Sequence, residues 1–143
     1  MKKLIVSMAA ALALGTLVAP AAHATCDPVY DPGSGCPGMF ELRPDTPVGS
    51  EAYAQGQFAE KLSVVLRKTT FVKDTADDGL DAYLWVLYGQ WNGDKYKEPI
   101  AVASGPGAQT SVEWTSPPGV SVTYFQVRVC LGPGEGTCSR WVG

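Results

Sequence analysis

Turn signals divide the second half of this chain into short apolar segments, and their spacing constrains the fold more than any other feature. Gly-Pro-Gly at 105–107 and Pro-Pro-Gly at 117–119 are sequences at which a chain reverses direction. The segment between them, 109–115, alternates in a period of two that is typical of a strand half-buried in a sheet. Turns recur about every ten residues, a spacing that predicts an all-β domain.

The two longest apolar segments predict the centre of a sheet. Residues 120–131 place Phe125, Val127 and Val129 on one face. Residues 81–89 are apolar on both faces, which predicts a central strand. The Phe-x-Val-x-Val spacing resembles a strand of an immunoglobulin or fibronectin type III domain. We therefore expect an all-β fold, a small antiparallel two-sheet sandwich of that architecture, and the resemblance implies nothing about function.

Local patterns extend this prediction towards the N-terminal side. Asn92-Gly93 favours a hairpin with a type I′ turn, in which both positions have positive φ. Residues 61–73 contain strong β-formers and predict a strand. Residues 50–60 are undecided between helix and strand, because their apolar spacing loosely fits a helical face while Gly56 disfavours a helix.

The first 24 residues have the organisation of a secretory signal peptide. Lys2 and Lys3 precede the apolar run 4–18, and Ala-His-Ala at 22–24 is a small-x-small cleavage signal. The run holds roughly 15 apolar residues, whereas a membrane-spanning helix needs about 20. We expect cleavage after Ala24, no membrane association after cleavage, and a secreted protein that acts outside the cell or in the cell envelope.

Removal of this leader changes the chemistry of the chain. It carries His23, the only histidine, so the mature chain has no His-dependent catalytic triad and no His-bound metal. Loss of Lys2 and Lys3 also makes a chain of net charge −3 more acidic, which disfavours nucleic acids and anionic membranes. We expect a non-enzymatic protein with no catalytic residues, no cofactor and no nucleic-acid partner.

The mature chain keeps four cysteines: Cys26, Cys36, Cys130 and Cys138. An even number in an oxidising compartment predicts two disulfides. Three pairings are possible, and we favour Cys26–Cys36 with Cys130–Cys138 because each pair brackets a turn-rich loop. The prolines of residues 25–49 exclude a central strand there, so we expect a disulfide-pinned N-terminal strap before a sandwich domain at 50–143.

Acidic residues cluster around Gly79, namely Asp74, Asp77, Asp78 and Asp81. Oxygen ligands suit calcium, but an EF-hand alignment fails because Ala76 and Trp85 fall at ligand positions. We expect a solvated acidic turn, with an irregular calcium loop as the weaker hypothesis. The same carboxylates also allow a small carboxylate-dependent hydrolase.

Aromatic residues crowd the predicted hairpin, where Tyr88, Trp91 and Tyr96 are the ligand-contact candidates. Aromatic rings stack on the apolar faces of sugars and also anchor protein contacts. Three other tryptophans are expected in the core, namely Trp85, Trp114 and Trp141. The resulting hypothesis is a secreted binding or structural module whose partner is an extracellular polysaccharide or protein.

A second hypothesis is an inhibitor of an extracellular enzyme. Residues 132–137 form a glycine-rich loop that Cys130–Cys138 would brace, and a rigid loop loses little entropy on docking. Its only sizeable side chain is Glu135, which weakens this alternative. Neither the ligand nor the oligomeric state follows from these patterns.

Overall fold

The computed structural model describes residues 38–59, 62–134 and 137–143, and these residues form ten β-strands. The strands are β1 (Met39–Leu42), β2 (Ser50–Ala59), β3 (Ser63–Leu66), β4 (Phe71–Asp74), β5 (Ala82–Gly89), β6 (Lys95–Ala103), β7 (Gln109–Ser111), β8 (Trp114–Thr115), β9 (Tyr124–Leu131) and β10 (Thr137–Cys138). Every pairing between them is antiparallel. The prediction of an all-β fold with antiparallel sheets is confirmed.

The strands form two sheets. The first has the order β7-β4-β2-β3-β8, with β1 also paired to β2, and the second has the order β10-β9-β5-β6. In the first sheet β3 and β4 lie end to end beside β2, and β8 and β7 continue the pattern one position further out. The first sheet is therefore four strands wide, with two of its strands interrupted.

The interruption between β3 and β4 depends on one buried hydroxyl. Thr70 is fully buried, and its Oγ1 both accepts from the Gln55 amide and donates to the Gln55 carbonyl, at 3.1 Å each. The Arg67 amide donates to the same carbonyl at 2.8 Å. The single strand predicted at 61–73 is thus wrong in its continuity, because a side chain replaces backbone pairing at the break.

The undecided residues 50–60 form the long strand β2 up to Ala59. Gly56 lies where this strand passes closest to its neighbours. A Cβ there would come within 2.6 Å of the Val65 carbonyl oxygen and 2.7 Å of the Phe40 ring. The glycine therefore belongs to a crowded crossing of strands, where only a hydrogen atom fits.

The two sheets share one hydrophobic core. Fully buried side chains of β3 and β5, Val64, Leu84 and Val86 among them, belong to the same cluster as those of β9. Phe125, Val127 and Val129 are all buried, which confirms the predicted apolar face of 120–131. The strand β9 itself is shorter than predicted and begins at Tyr124.

Strand β5 is central, as its apolar faces predicted, because it pairs along its full length with β6 on one side and β9 on the other. The predicted disulfide Cys130–Cys138 is present and joins β9 to β10. Cys26 and Cys36, with the rest of the predicted strap before Gly38, lie outside the described residues. Within the described part of the chain, no helix has the length and apolarity needed to cross a membrane.

Candidate functional site

The candidate site is the end of the β5–β6 hairpin, which we call the hairpin tip and define as residues 88–96. Its loop spans residues 90–94 and is closed by the Gln90 amide, which donates to the Asp94 carbonyl at 3.1 Å. The predicted type I′ turn is wrong, because neither Asn92 nor Gly93 has positive φ. Strand pairing stops at Gly89, which takes the positive φ instead, so five residues close the hairpin where a type I′ turn needs two.

The tip exposes two of the three aromatic candidates. Trp91 is 66% exposed and Tyr96 is 44% exposed, whereas Tyr88 is buried in the core. Large aromatic side chains usually bury most of their surface in a folded domain. Their exposure at a hairpin end therefore marks this region as a candidate contact surface.

Trp91 lies on the outer face of the second sheet. Its ring meets the Tyr124 ring edge-on at a centroid distance of 5.3 Å. The Lys95 ammonium lies 4.3 Å from the Tyr124 ring centroid and 5.7 Å from that of Trp91. The Trp91 amide also donates to Thr123 Oγ1 at 3.0 Å. These contacts hold the indole against the outer face and leave Trp91 66% exposed.

Tyr96 lies on the opposite, core-facing side of the hairpin. It is the cross-strand partner of Tyr88 and stacks on it with ring centroids 5.6 Å apart. The Tyr88 hydroxyl donates to Glu98 at 3.1 Å, and the Trp114 indole donates to the same carboxylate oxygen at 3.3 Å. Burial, together with the neighbouring Glu98 charge, raises the pKa of Tyr88 to about 12.

A row of aromatic rings supports Tyr96 from inside the core. Successive ring centroids lie between 5.1 and 6.0 Å apart. In order the rings are Phe58, Phe40, Phe125, Trp114, Tyr88 and Tyr96. Rings at these separations attract each other in tilted or offset geometries. The exposed ring of Tyr96 is thus the last member of a packed series and contacts the core through Tyr88.

A cleft of about 330 Å³ lies between the hairpin tip and the segment 119–121. Its lining consists of Gln90, Gly93, Asp94, Tyr96, Gly119, Val120 and Ser121. The Thr123 amide donates to the Gly89 carbonyl at 2.8 Å, which ties the following segment to the hairpin. The cleft therefore has two walls that are connected by hydrogen bonds, and it contains polar side chains beside one aromatic ring.

Two of the four acidic candidates, Asp74 and Asp78, accept hydrogen bonds from backbone amides in turns. Asp74 is buried, and its carboxylate accepts from the Ala76 amide at 3.2 Å and the Gly105 amide at 3.0 Å. Asp78 accepts from the Leu80 amide at 2.9 Å in an exposed turn. Asp77 is exposed and Asp81 is half-buried. In residues 38–59, 62–134 and 137–143, no group of three or more His, Cys, Asp or Glu side chains is placed to hold a metal ion.

The three tryptophans predicted to be core residues divide between two environments. Trp114 packs against the core, which confirms the prediction for that residue. Trp85 and Trp141 lie on the outer face of the second sheet, where the Arg128 guanidinium stands 4.2 Å from the Trp141 ring centroid. The core prediction is wrong for these two, because both faces of the second sheet carry large side chains.

The sequence pattern indicates Trp91 and Tyr96 but contains no sign of the cleft beside them. The cleft requires the segment 119–121 to return to the hairpin, a contact between residues about 30 positions apart for which the sequence has no local signal. No known protein family, curated protein or solved structure matches this chain.

Proposed function

We propose that this protein is an exported, non-enzymatic binding module whose contact surface is the hairpin tip. The observation that carries the proposal is the exposure of Trp91 and Tyr96, at 66% and 44%. Both lie at the end of a hairpin whose strand β5 pairs with β6 on one side and with β9 on the other. Aromatic side chains are enriched in the contact surfaces of binding proteins. The ligand is an extracellular polysaccharide or protein.

Export is part of this proposal. We propose that residues 1–24 are removed as a signal peptide, that 25–49 form an N-terminal strap whose strand β1 joins the first sheet beside β2, and that 50–143 form the rest of the domain. The Cys130–Cys138 disulfide supports an oxidising compartment, because such bonds persist outside the reducing cytosol. We assign the protein to the extracellular space or the cell envelope.

We also propose a β-sandwich in the architectural class of immunoglobulin and fibronectin type III domains. The shared core of the two antiparallel sheets supports this assignment. The strand order differs from the immunoglobulin constant type, in which the second and third strands lie in different sheets. Here β2 and β3 are consecutive and pair with each other. The likeness is therefore one of layers, and the connections are different.

Rigidity favours binding at the tip. Tyr96 is supported by the aromatic row, and Trp91 is held by Tyr124 and Lys95. A surface that is ordered before it meets a ligand loses less conformational entropy on binding, which leaves more of the contact energy for affinity.

The test compares the mature protein with a Trp91→Ala/Tyr96→Ala double variant on a glycan array and in pull-downs from culture medium. We expect the wild type to retain a ligand that the double variant loses. Val48→Ala is the matched control, because Val48 is 96% exposed and lies next to the first residues of β2, at the opposite end from the tip. Equal retention by wild type and double variant would show that the tip is not the contact surface.

An inhibitor of an extracellular enzyme is the second candidate, favoured by the disulfide that links the two ends of the β9–β10 connection. We expect such a protein to inhibit a member of an extracellular protease panel, and Cys130→Ala/Cys138→Ala to lose this inhibition. A small hydrolase is the weaker alternative. Activity on a glycoside substrate panel that Asp77→Asn or Asp81→Asn abolished would support it.

A further inference from the structure

We propose that the cleft between the hairpin tip and residues 119–121 binds a neutral saccharide, with Tyr96 as the stacking platform. The inference rests on the proposed function and specifies its ligand class and the side of the tip that is used. It follows from the shape of the Tyr96 surface, the hydrogen-bonding groups of the cleft, and the charges that line it.

Tyr96 provides one free aromatic face. Its other face packs on Tyr88 at an interplanar angle of 27°. With 44% of the residue in solvent, the ring is a fixed apolar plate beside polar groups. A pyranose ring presents an apolar face of C–H groups with hydroxyls around its edge. A flat ring with hydrogen-bonding groups beside it matches that distribution.

The remaining lining residues supply those hydrogen-bonding groups. Gln90 and Ser121 both donate and accept, and Asp94 accepts. Gly93 and Gly119 carry no side chain, and a Cβ on Gly119 would have nothing within 4 Å, so the backbone there is open to a ligand. Sugar hydroxyls donate and accept in the same way. Val120 is the only aliphatic side chain in the lining, which provides little for a buried apolar peptide side chain.

The charges around the cleft select a neutral ligand. No lysine or arginine is among the residues that line it, and Asp94 contributes a negative charge. The neighbouring Lys95 projects to the other face of the hairpin, where it lies over Tyr124 and Trp91. A phosphate, sulfate or uronate would therefore enter beside a carboxylate without a cation to pair with, which is unfavourable.

The size of the cleft limits how much of a chain it holds. A volume of about 330 Å³ is at the small end of ligand-binding pockets. A cleft of this size contacts only a short segment of a polysaccharide. We therefore expect weak binding of a single chain and stronger retention on an insoluble or multivalent polymer.

The opposite placement of Trp91 and Tyr96 makes the inference testable with matched variants. Isothermal titration calorimetry uses the mature protein with cellohexaose, chitohexaose, maltohexaose and mannohexaose, and with polygalacturonate as the anionic probe. We expect at least one neutral oligosaccharide to bind. Tyr96→Ala weakens this binding by about tenfold or more, equivalent to about 1.4 kcal/mol. Tyr96→Phe keeps the plate and retains most of the affinity.

Further variants separate the cleft from the rest of the tip. Ser121→Phe fills the cleft and leaves residue 96 unchanged, and we expect it to abolish binding. Val48→Ala changes a residue outside the tip that is 96% exposed, and we expect its affinity to stay within about twofold of wild type, which is about 0.4 kcal/mol. Trp91→Ala removes the more exposed aromatic residue from the other face, and we expect it to weaken binding less than Tyr96→Ala does. Circular dichroism and thermal melting establish that each variant is folded before titration.

The outcomes distinguish this inference from the proposed function. If no neutral oligosaccharide binds, or only polygalacturonate does, the neutral-saccharide assignment is wrong, while tip-dependent capture of another ligand keeps the proposed function. A saccharide lost in Trp91→Ala but retained in Tyr96→Ala places the ligand on the outer face and refutes the cleft. A purified protein partner that requires Tyr96 and is blocked by Ser121→Phe also overturns the saccharide. If no ligand depends on Trp91 or Tyr96, both proposals fail.

Discussion

Replacing Asp74 by alanine tests whether this buried carboxylate is a structural element of the turn after β4. The side chain is 1% exposed, and its two oxygens accept one backbone amide each, from Ala76 and Gly105. The backbone reinforces the same contact, since the Gly107 amide donates to the Asp74 carbonyl at 2.8 Å and the Asp74 amide to the Ala108 carbonyl at 2.9 Å. Asp74→Ala removes the two side-chain bonds and leaves the backbone bonds in place.

Hydrogen bonds to a charged group contribute about 1.5–3 kcal/mol each, so two set an upper range of about 3–6 kcal/mol. Ala76 and Gly105 are half-buried, so water replaces part of the loss. We expect Asp74→Ala to lower the free energy of unfolding by about 3 kcal/mol, a large share of the about 5–15 kcal/mol of a typical domain. With a urea m-value of about 1.5 kcal/mol per molar, the midpoint falls by about 2 M.

Equilibrium urea unfolding followed by tryptophan fluorescence measures this loss. Asp78→Ala is the matched control, because its one hydrogen bond lies in an exposed turn and is worth about 0.5–1 kcal/mol. Asp74→Asn keeps the shape of the side chain but turns an amide donor towards one of the two N–H groups. We therefore expect its free energy of unfolding to lie between those of the wild type and Asp74→Ala. A loss at Asp74 no larger than at Asp78 refutes the structural role. A melting temperature that rises in millimolar calcium and no longer does so in Asp74→Asn supports the calcium hypothesis instead.

Three further predictions concern the core and its crosslink. The pKa of Tyr88 is raised from 10.0 to about 12. The protonated Tyr88 hydroxyl therefore contributes fully to the free energy of unfolding below about pH 10, and this contribution is lost as the pH rises towards about 12. Tyr88→Phe removes this dependence on pH. The difference in free energy of unfolding between wild type and variant, measured by urea titration at increasing alkaline pH, therefore narrows by about 2–3 kcal/mol. A difference that stays constant with pH contradicts the reasoning. Replacing Cys130 and Cys138 together by alanine removes a disulfide of sequence separation 8, and we expect this to lower the free energy of unfolding by about 2.5 kcal/mol through chain entropy. Thermal melting measures the loss, with the reduced wild type as reference. Equal stability of the oxidised wild type and the variant would contradict it. Gly56→Ala places a methyl group 2.6 Å from a carbonyl oxygen, and we expect it to lower the free energy of unfolding by about 3 kcal/mol. Gly38→Ala is the control, because nothing lies within 4 Å of the new atom, and its urea midpoint stays within about 0.3 M of wild type. Similar losses of stability at both positions would refute the crowding at Gly56.

The hairpin tip shows how residues close in sequence come to lie in different surroundings. Trp91 and Tyr96 are five positions apart, yet strand pairing turns Tyr96 towards the core-facing side and leaves Trp91 on the outer face. The two faces differ in their chemistry, because Lys95 lies beside Trp91 on one face and the polar cleft lies beside Tyr96 on the other. One tip therefore carries two distinct aromatic surfaces, and single variants separate them.

Local pattern was sufficient for the two longest apolar segments. The apolar residues of 81–89 and of 120–131 predicted β5 and β9, because an apolar run bounded by turn residues is recognised from neighbouring residues alone. The Cys130–Cys138 bridge also followed from a short turn-rich spacing. Turn geometry was harder, since the Asn92-Gly93 signal depends on where pairing stops, and pairing stops at Gly89.

The all-β class, the central strand β5 and the aromatic character of the hairpin follow from periodicity, turn residues and composition, which are local properties of the chain. The break at Thr70, the role of Asp74 and the cleft beside Tyr96 arise only from the packing of distant segments. Each of these depends on groups far apart in the chain, as in the bond from Gly105 to Asp74 or the meeting of residues 119–121 with the hairpin. Such contacts exist only once the two sheets pack around their common core, so no window of the sequence contains them.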